Sequence, residues 1–111
     1  MLIKLYGIVE IPTNVTIYVG ATRQQLCKRM GTHRSIVRHG TKCHNGTPAP
    51  VHRYMRARGI EHFGIKIVRY VHVASFAEMR ERERECIQAL RPRFYNYMVH
   101  VSSTLQFNGQ S

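Results

Sequence analysis

The sequence predicts an α/β fold of the α+β kind. A three-stranded, mainly antiparallel sheet is flanked by helices in the order β-β-α-α-β-α. Three observations lead there. Two β-rich apolar runs near the start enclose a Pro12-Thr13-Asn14 turn. Apolar residues then recur at helical spacing in two later stretches. A further β-rich run lies between those stretches.

Residues 2–11 and 15–20 form the expected hairpin, because proline and asparagine favour the tight turn between them. After Gly20 the period changes. Thr22 is a suitable N-cap, and Leu26, Met30, His33 and Val37 continue on one helical face to about Arg38. Residues 39–48 read as a polar, glycine-containing loop. A short basic helix over Ala49–Arg58 follows and is closed by Gly59. Residues 63–73 read as the third strand. Ser75, with Glu78 three residues on, forms a capping box for the last helix, which Arg91-Pro92 ends. Residues 94–99 read as a short extended segment. The domain is expected to occupy residues 1–101, with a polar tail over 102–111.

The chain of 111 residues carries 17 Lys plus Arg against 6 acids, a net charge of +11. There is no aspartate, and four of the six glutamates lie in the last helix. Such a surface attracts polyanions, nucleic acid first. No apolar run is long enough to span a membrane, and the N-terminus reads as a strand rather than a signal peptide. Cys27, Cys43 and Cys86 are scattered and odd in number, which points to a reducing, intracellular compartment and away from secretion. His33, His39, Cys43 and His44 lie close in sequence but lack a standard zinc spacing.

The last helix contains the anomaly. Phe76, Met79, Cys86, Ile87 and Leu90 share one face when each residue turns about 100°, and Glu83 lies in the middle of that face. Glu81 and Glu85 point the other way. An inward carboxylate costs free energy unless a cation or strong donors meet it. Tyr18 ends the second strand, and Arg29 and His33 are one helical turn apart. A phenol, a guanidinium, an imidazole and one inward carboxylate suit phosphodiester hydrolysis. Glu83 would hold a hard divalent cation through oxygen. Arg29 would neutralise charge growing on phosphorus. Tyr18 is the first candidate to activate water, and His33 the next. With one inward acid, a single-metal site is expected. Read singly, each of these residues also suits an ordinary structural role, and Glu83 suits a buried ion pair.

Six pieces in order resemble the GIY-YIG nuclease family. Gly7-Ile8-Val9 and Tyr18-Val19-Gly20 resemble its two signatures. Leu26-x-x-Arg29-x-x-x-His33 resembles its helix with the catalytic arginine. Cys43-His44 resembles a further histidine of homing-type members. Glu81-Arg82-Glu83 resembles the segment supplying the metal-binding glutamate, and Tyr95-Asn96 the closing pair. The resemblance implies Mg²⁺- or Mn²⁺-dependent cleavage of DNA, with His44 and Asn96 joining the site. The tyrosine of the first signature aligns with Val9. Tyr6, three residues away, is expected on the opposite face, and replaces that phenol only through a bulge or register shift. Arg23 stands where members often carry lysine.

The expected activity is a divalent-metal-dependent DNA endonuclease of little more than the catalytic module. Its low sequence specificity, or preference for a duplex or branched shape, would rest on phosphate contacts, with a possible homodimer extending the footprint. Arg23, Lys28, Arg34, Lys42, Arg53, Arg56 and Arg58 are the candidate contacts, with His52 beside them. The rival readings are a nuclease-like DNA- or RNA-binding module weakened by Val9, and a small basic RNA-binding protein.

Overall fold

The first strand is apolar almost throughout, and the sheet explains why. A computed structural model describes residues 1–39 and 49–95. In it β1 (Leu2–Glu10) is the middle strand of a three-stranded sheet. It is flanked by β2 (Val15–Thr22) and β3 (Phe63–His72), both antiparallel to it. With neighbours on both edges and helices on both faces, β1 is buried from Leu5 through Glu10. Successive residues serve opposite cores. Ile3 and Leu5 join Val19, Val73, Cys86 and Ile87. Tyr6 and Ile8 join Ile17, Met30, Val51, Met55 and Phe63.

The hairpin turn is as the sequence predicts. Asn14 takes a positive φ of 56°, a conformation its short polar side chain tolerates, and its N–H donates to the Ile11 carbonyl. The β1–β2 register shifts between Ile8 and Val9. Ile8 pairs with Tyr18 but Val9 pairs with Thr16, leaving Ile17 as the extra residue of a bulge.

Helix α1 (Leu26–His39) buries Met30, His33 and Val37, the predicted face. Its start differs from the prediction. Thr22 belongs to β2, and its hydroxyl accepts from the Gln24 N–H at 3.0 Å. That local turn holds the backbone out of helix until Leu26. Helix α2 (Pro50–Arg58) has proline in its first turn and Gly59 at its C-cap with φ 97°. A short 3₁₀ turn, Ile60–His62, leads into β3.

Helix α3 (Phe76–Leu90) starts as predicted, with the Ser75 side chain accepting from the Glu78 N–H. The reciprocal bond is shifted by one residue: the Glu78 carboxylate accepts from Ala74 N–H, not from Ser75. Arg91 closes the helix in the left-handed region, donating its N–H to Ile87. The inward face is shorter than the sequence pattern. Phe76 and Leu90, the first and last residues of the helix, are 54% and 44% exposed. Cys86 and Ile87 are buried and Met79 packs beside them.

Phe94 and Tyr95 are not extended as predicted. Arg93 and Phe94 N–H groups donate to the carbonyls of Thr16 and Ile17, anchoring the chain to β2. Tyr95 N–H then donates back to Pro92, forming a turn. The predicted loop over 39–48, beyond His39, and the 102–111 tail lie outside the described residues.

Candidate active site

The hairpin places two phenols side by side. Tyr6 pairs with Gly20, and Ile8, two residues on, pairs with Tyr18. Directly paired residues and those two apart share a face of an antiparallel sheet, so Tyr6 and Tyr18 project together. Their ring centroids are 6.1 Å apart. This corrects the expectation built on Val9. No phenol is missing, because Tyr6 is the residue that stands beside Tyr18, and Val9 projects from the other face. The β1–β2 bulge lies past the Tyr6–Gly20 pair, and a second register shift, against β3, falls between Leu5 and Tyr6.

Gly20 makes the pairing possible. A Cβ there would lie 2.5 Å from the Tyr6 oxygen and 2.9 Å from Tyr18 Cε1. Two ring systems would have to move. Gly20→Ala is therefore expected to displace both phenols, lower stability by about 1–3 kcal/mol and sharply reduce any activity of the site. Thermal melting with an activity assay checks this, and an alanine variant equal to wild type in both would refute it.

Helix α1 supplies the next two groups. Arg29 Nε donates to the Tyr6 oxygen at 3.0 Å. The Tyr6 hydroxyl and His33 Nε2 are 2.9 Å apart. The His33 ring also stands edge-on to Tyr18, with centroids 5.2 Å apart. His33 is fully buried, and burial pushes its pKa down to about 3, with the Arg29 charge and His52 adding to the effect. It is a neutral imidazole at ordinary pH. Burial raises the pKa of both phenols. On Tyr6 that rise is opposed by the Arg29 charge, the Arg29 hydrogen bond and the Tyr18 hydroxyl.

Helix α3 brings Glu83 from the β2 side. It is half-buried, and burial pushes its carboxyl up to about 7, against the opposing pull of the Ala21 backbone N–H, Arg29 and Arg80. Its charge is felt at both Tyr6 and Tyr18. None of the ion pairs among the described residues includes Glu83. The alternative of a buried structural ion pair therefore finds no partner there. Glu81 and Glu85 are exposed, and Glu85 pairs with Arg82 at 2.7 Å.

Two residues escaped the sequence reading. His52, expected as a surface contact on α2, has its Nε2 only 3.1 Å from His33 Nδ1. Glu10 is a second inward acid, 6% exposed. It accepts from the Tyr54 hydroxyl and pairs with Arg58 at 3.5 Å. Arg58 and Arg93 also flank the Tyr54 ring. The structure thus corrects two expectations: Glu83 is not the only inward acid, and Arg58 is engaged by Glu10. The signal for Glu10 was its place after the apolar run Ile8-Val9 in the central strand. No linear spacing marks His52.

Of the remaining predicted contacts, Arg23, Lys28, Arg53 and Arg56 are exposed and Arg34 is partly so. Arg23 follows β2 directly, and Lys28 adjoins Arg29 in the first turn of α1. Lys42, His44 and Asn96 lie outside the described residues. Among the described residues, no three His, Cys, Asp or Glu side chains cluster as a metal site. No helix among them is long and apolar enough to cross a membrane.

Comparison with known proteins places this geometry in context. Residues 5–96 match the GIY-YIG catalytic domain, a stretch that contains Tyr6, Tyr18, Arg29, His33, His52 and Glu83. An uncharacterized protein, 019R, of Invertebrate iridescent virus 6 is similar, with 29% identity over 80 residues. That stretch is 72% of this chain and 26% of the viral protein, so the chain spans about a quarter of that relative's length. No solved structure matches the chain.

Proposed function

The chain belongs to the GIY-YIG catalytic domain family of nucleases, and from that premise we propose that it is a divalent-metal-dependent endonuclease acting on DNA phosphodiester bonds. The observation that carries the proposal is the convergence of Tyr6, Tyr18, Arg29 and His33 around one site faced by a carboxylate that has no ion-pair partner among the described residues. Each group has a task in that reaction. The Tyr6 oxygen, beside the Arg29 cation, takes the proton of the attacking water. The Tyr18 hydroxyl orients that water. Arg29 uses Nε to hold Tyr6, which leaves its outer nitrogens to bind the phosphate and neutralise charge as it develops.

The donor set fits one Mg²⁺ or Mn²⁺. Glu83 offers a hard oxygen ligand that none of the ion pairs among the described residues engages, and such cations commonly take one or two carboxylates plus water and phosphate oxygens. When bound, the cation would polarise the phosphate and stabilise the leaving oxygen. Glu10 does not extend this into a two-metal site, since Arg58 and Tyr54 already engage it.

Arg23, Lys28, Arg34, Arg53 and Arg56 are proposed to hold the phosphate backbone of duplex or branched DNA, with Lys42 joining them. Contacts of this kind position the substrate without reading bases, so low sequence specificity follows. A homodimer would lengthen the footprint, and an intracellular, reducing compartment suits the free thiols of Cys27 and Cys86.

Metal-titrated cleavage of linear, supercoiled and branched DNA tests the proposal. The protein is expected to nick in Mg²⁺ or Mn²⁺, to be inert in EDTA, and to bind DNA less tightly as salt rises. Salt-sensitive binding with no cleavage in any metal would overturn the proposal in favour of a binding module. That rival rested on a missing phenol, and Tyr6 occupies the place where one was thought absent.

A further inference from the structure

The hydrogen bonds around Tyr6 leave little freedom for its proton. A guanidinium nitrogen can only donate, so the Tyr6 oxygen accepts from Arg29 Nε at 3.0 Å. Tyr6 is fully buried, so its own proton needs a partner within the site. The proton of Tyr6 must then point elsewhere, and His33 Nε2 stands 2.9 Å away. To accept it, Nε2 must be unprotonated. A neutral imidazole has a single N–H, so the proton of His33 lies on Nδ1. That nitrogen is 3.1 Å from Nε2 of His52, which must accept and so carries its own proton on Nδ1.

We infer that His52 is a positioning residue of the nuclease site: by accepting from His33 Nδ1 it fixes the tautomer that aims a bare Nε2 at the Tyr6 hydroxyl. The inference rests on the reading of Tyr6 as the residue that takes the proton of water. Its physical basis is the cost of a buried unpaired donor. His33 is 1% exposed, so its Nδ1–H depends on His52 for a partner. The ring would escape that cost by moving its proton to Nε2. Two donors, the Tyr6 O–H and the His33 N–H, would then meet. The phenol could then no longer pass its own proton to Nε2 as its oxygen takes the proton of water. The groups around His33 are Tyr6 from β1, Tyr18 from β2, Arg29 from its own helix and His52 from α2. Of these, His52 is the one recorded within hydrogen-bond distance of Nδ1.

Long-range ¹H–¹⁵N NMR on the ¹⁵N-histidine-labelled full chain reads the tautomer directly, with His33 assigned by its loss in His33→Gln. The wild type is expected to show Nδ1 protonated and Nε2 bare. In His52→Ala the proton is expected to move to Nε2. In His52→Gln the amide oxygen replaces the acceptor, and Nδ1–H is expected to persist. Cleavage should follow the tautomer, with His52→Ala falling about tenfold or more in kcat at little change in KM, and His52→Gln retaining most of its rate. An Nε2–H tautomer in the wild type or in His52→Gln would overturn the inference. So would an unchanged Nδ1–H in His52→Ala. The wild-type and glutamine measurements decide the matter even where the alanine variant does not fold. The spectra need neither metal nor DNA. An inert wild type with the expected tautomer would sink the nuclease reading alone, and a cleaving wild type with the opposite tautomer would sink this inference alone.

Discussion

Glu83→Gln is expected to abolish DNA cleavage while making the metal-free protein more stable above neutral pH. The loss of activity follows from the loss of the one charged oxygen donor facing the phenols. Removing such an electrostatic anchor costs about a hundredfold or more in rate. The gain in stability follows from the same carboxyl. Burial holds its folded-state pKa near about 7, against an ordinary value of 4.5. Between those values the folded protein keeps a proton that the unfolded chain has released. Stability therefore falls as pH rises through that window, and the full penalty is present above about 7. Its size is at most about 3 kcal/mol. Glutamine imitates the protonated acid and has no charge to bury, so the variant should lack the decline. Thermal melts in EDTA from pH 4.5 to 8 test this. Parallel pH profiles for the two proteins would show that Glu83 is not a strained, metal-awaiting carboxylate. Excess Mg²⁺ should stabilise the wild type and leave Glu83→Gln unaffected.

That opposition between function and stability is what made Glu83 legible in the sequence. An acid on an apolar helical stripe is a local inconsistency, and it can be seen without knowing the fold. The hairpin, the inward face of α1 and the cap of α3 were legible for the same reason, since each is fixed by residues close in sequence. The failures share the opposite property. Tyr6 entered the site only on condition of a bulge or register shift, because its strand parity was reckoned from Val9. The register that matters is its pairing with Gly20 across the sheet. Gly20 itself was noted as a signature residue, but the crowding that demands it arises only when the two strands meet. His52 joins the site because α2 packs beside α1, a tertiary fact with no linear pattern behind it. Glu10 passed unnoticed in a strand read as uniformly apolar, where Tyr54 and Arg58 from α2 meet its charge. Phe76 and Leu90 matched the helical period, yet burial also requires a surface to cover them, and at the two ends of α3 they stay exposed.

Tyr6→Phe and Tyr18→Phe are expected to differ, and the difference assigns the proton acceptor. Phenylalanine fills either ring position, so the aromatic packing with His33 persists in both variants. Tyr6→Phe removes the oxygen held by Arg29 Nε and His33 Nε2. Losing a positioned general base costs about 10²–10⁴-fold in rate. It also leaves the buried His33 Nε2 and the half-buried Arg29 Nε short of a partner, at about 1–3 kcal/mol of stability. Tyr18→Phe removes an orienting hydroxyl and should cost less, about 10–100-fold. The pH profiles separate the roles further. Burial raises the Tyr6 pKa, so its hydroxyl is protonated near neutrality, and the wild-type rate should climb as pH rises toward the alkaline range. Tyr18→Phe should keep that climb, because the titrating phenol is still present. It should also shift the climb to higher pH, since the Tyr18 hydroxyl helps to stabilise the Tyr6 phenolate. The residual rate of Tyr6→Phe should lack the climb. If Tyr18→Phe proves the more damaging change, and its residual activity is the one that loses the pH dependence, then Tyr18 takes the proton of water and Tyr6 only holds Arg29 in place.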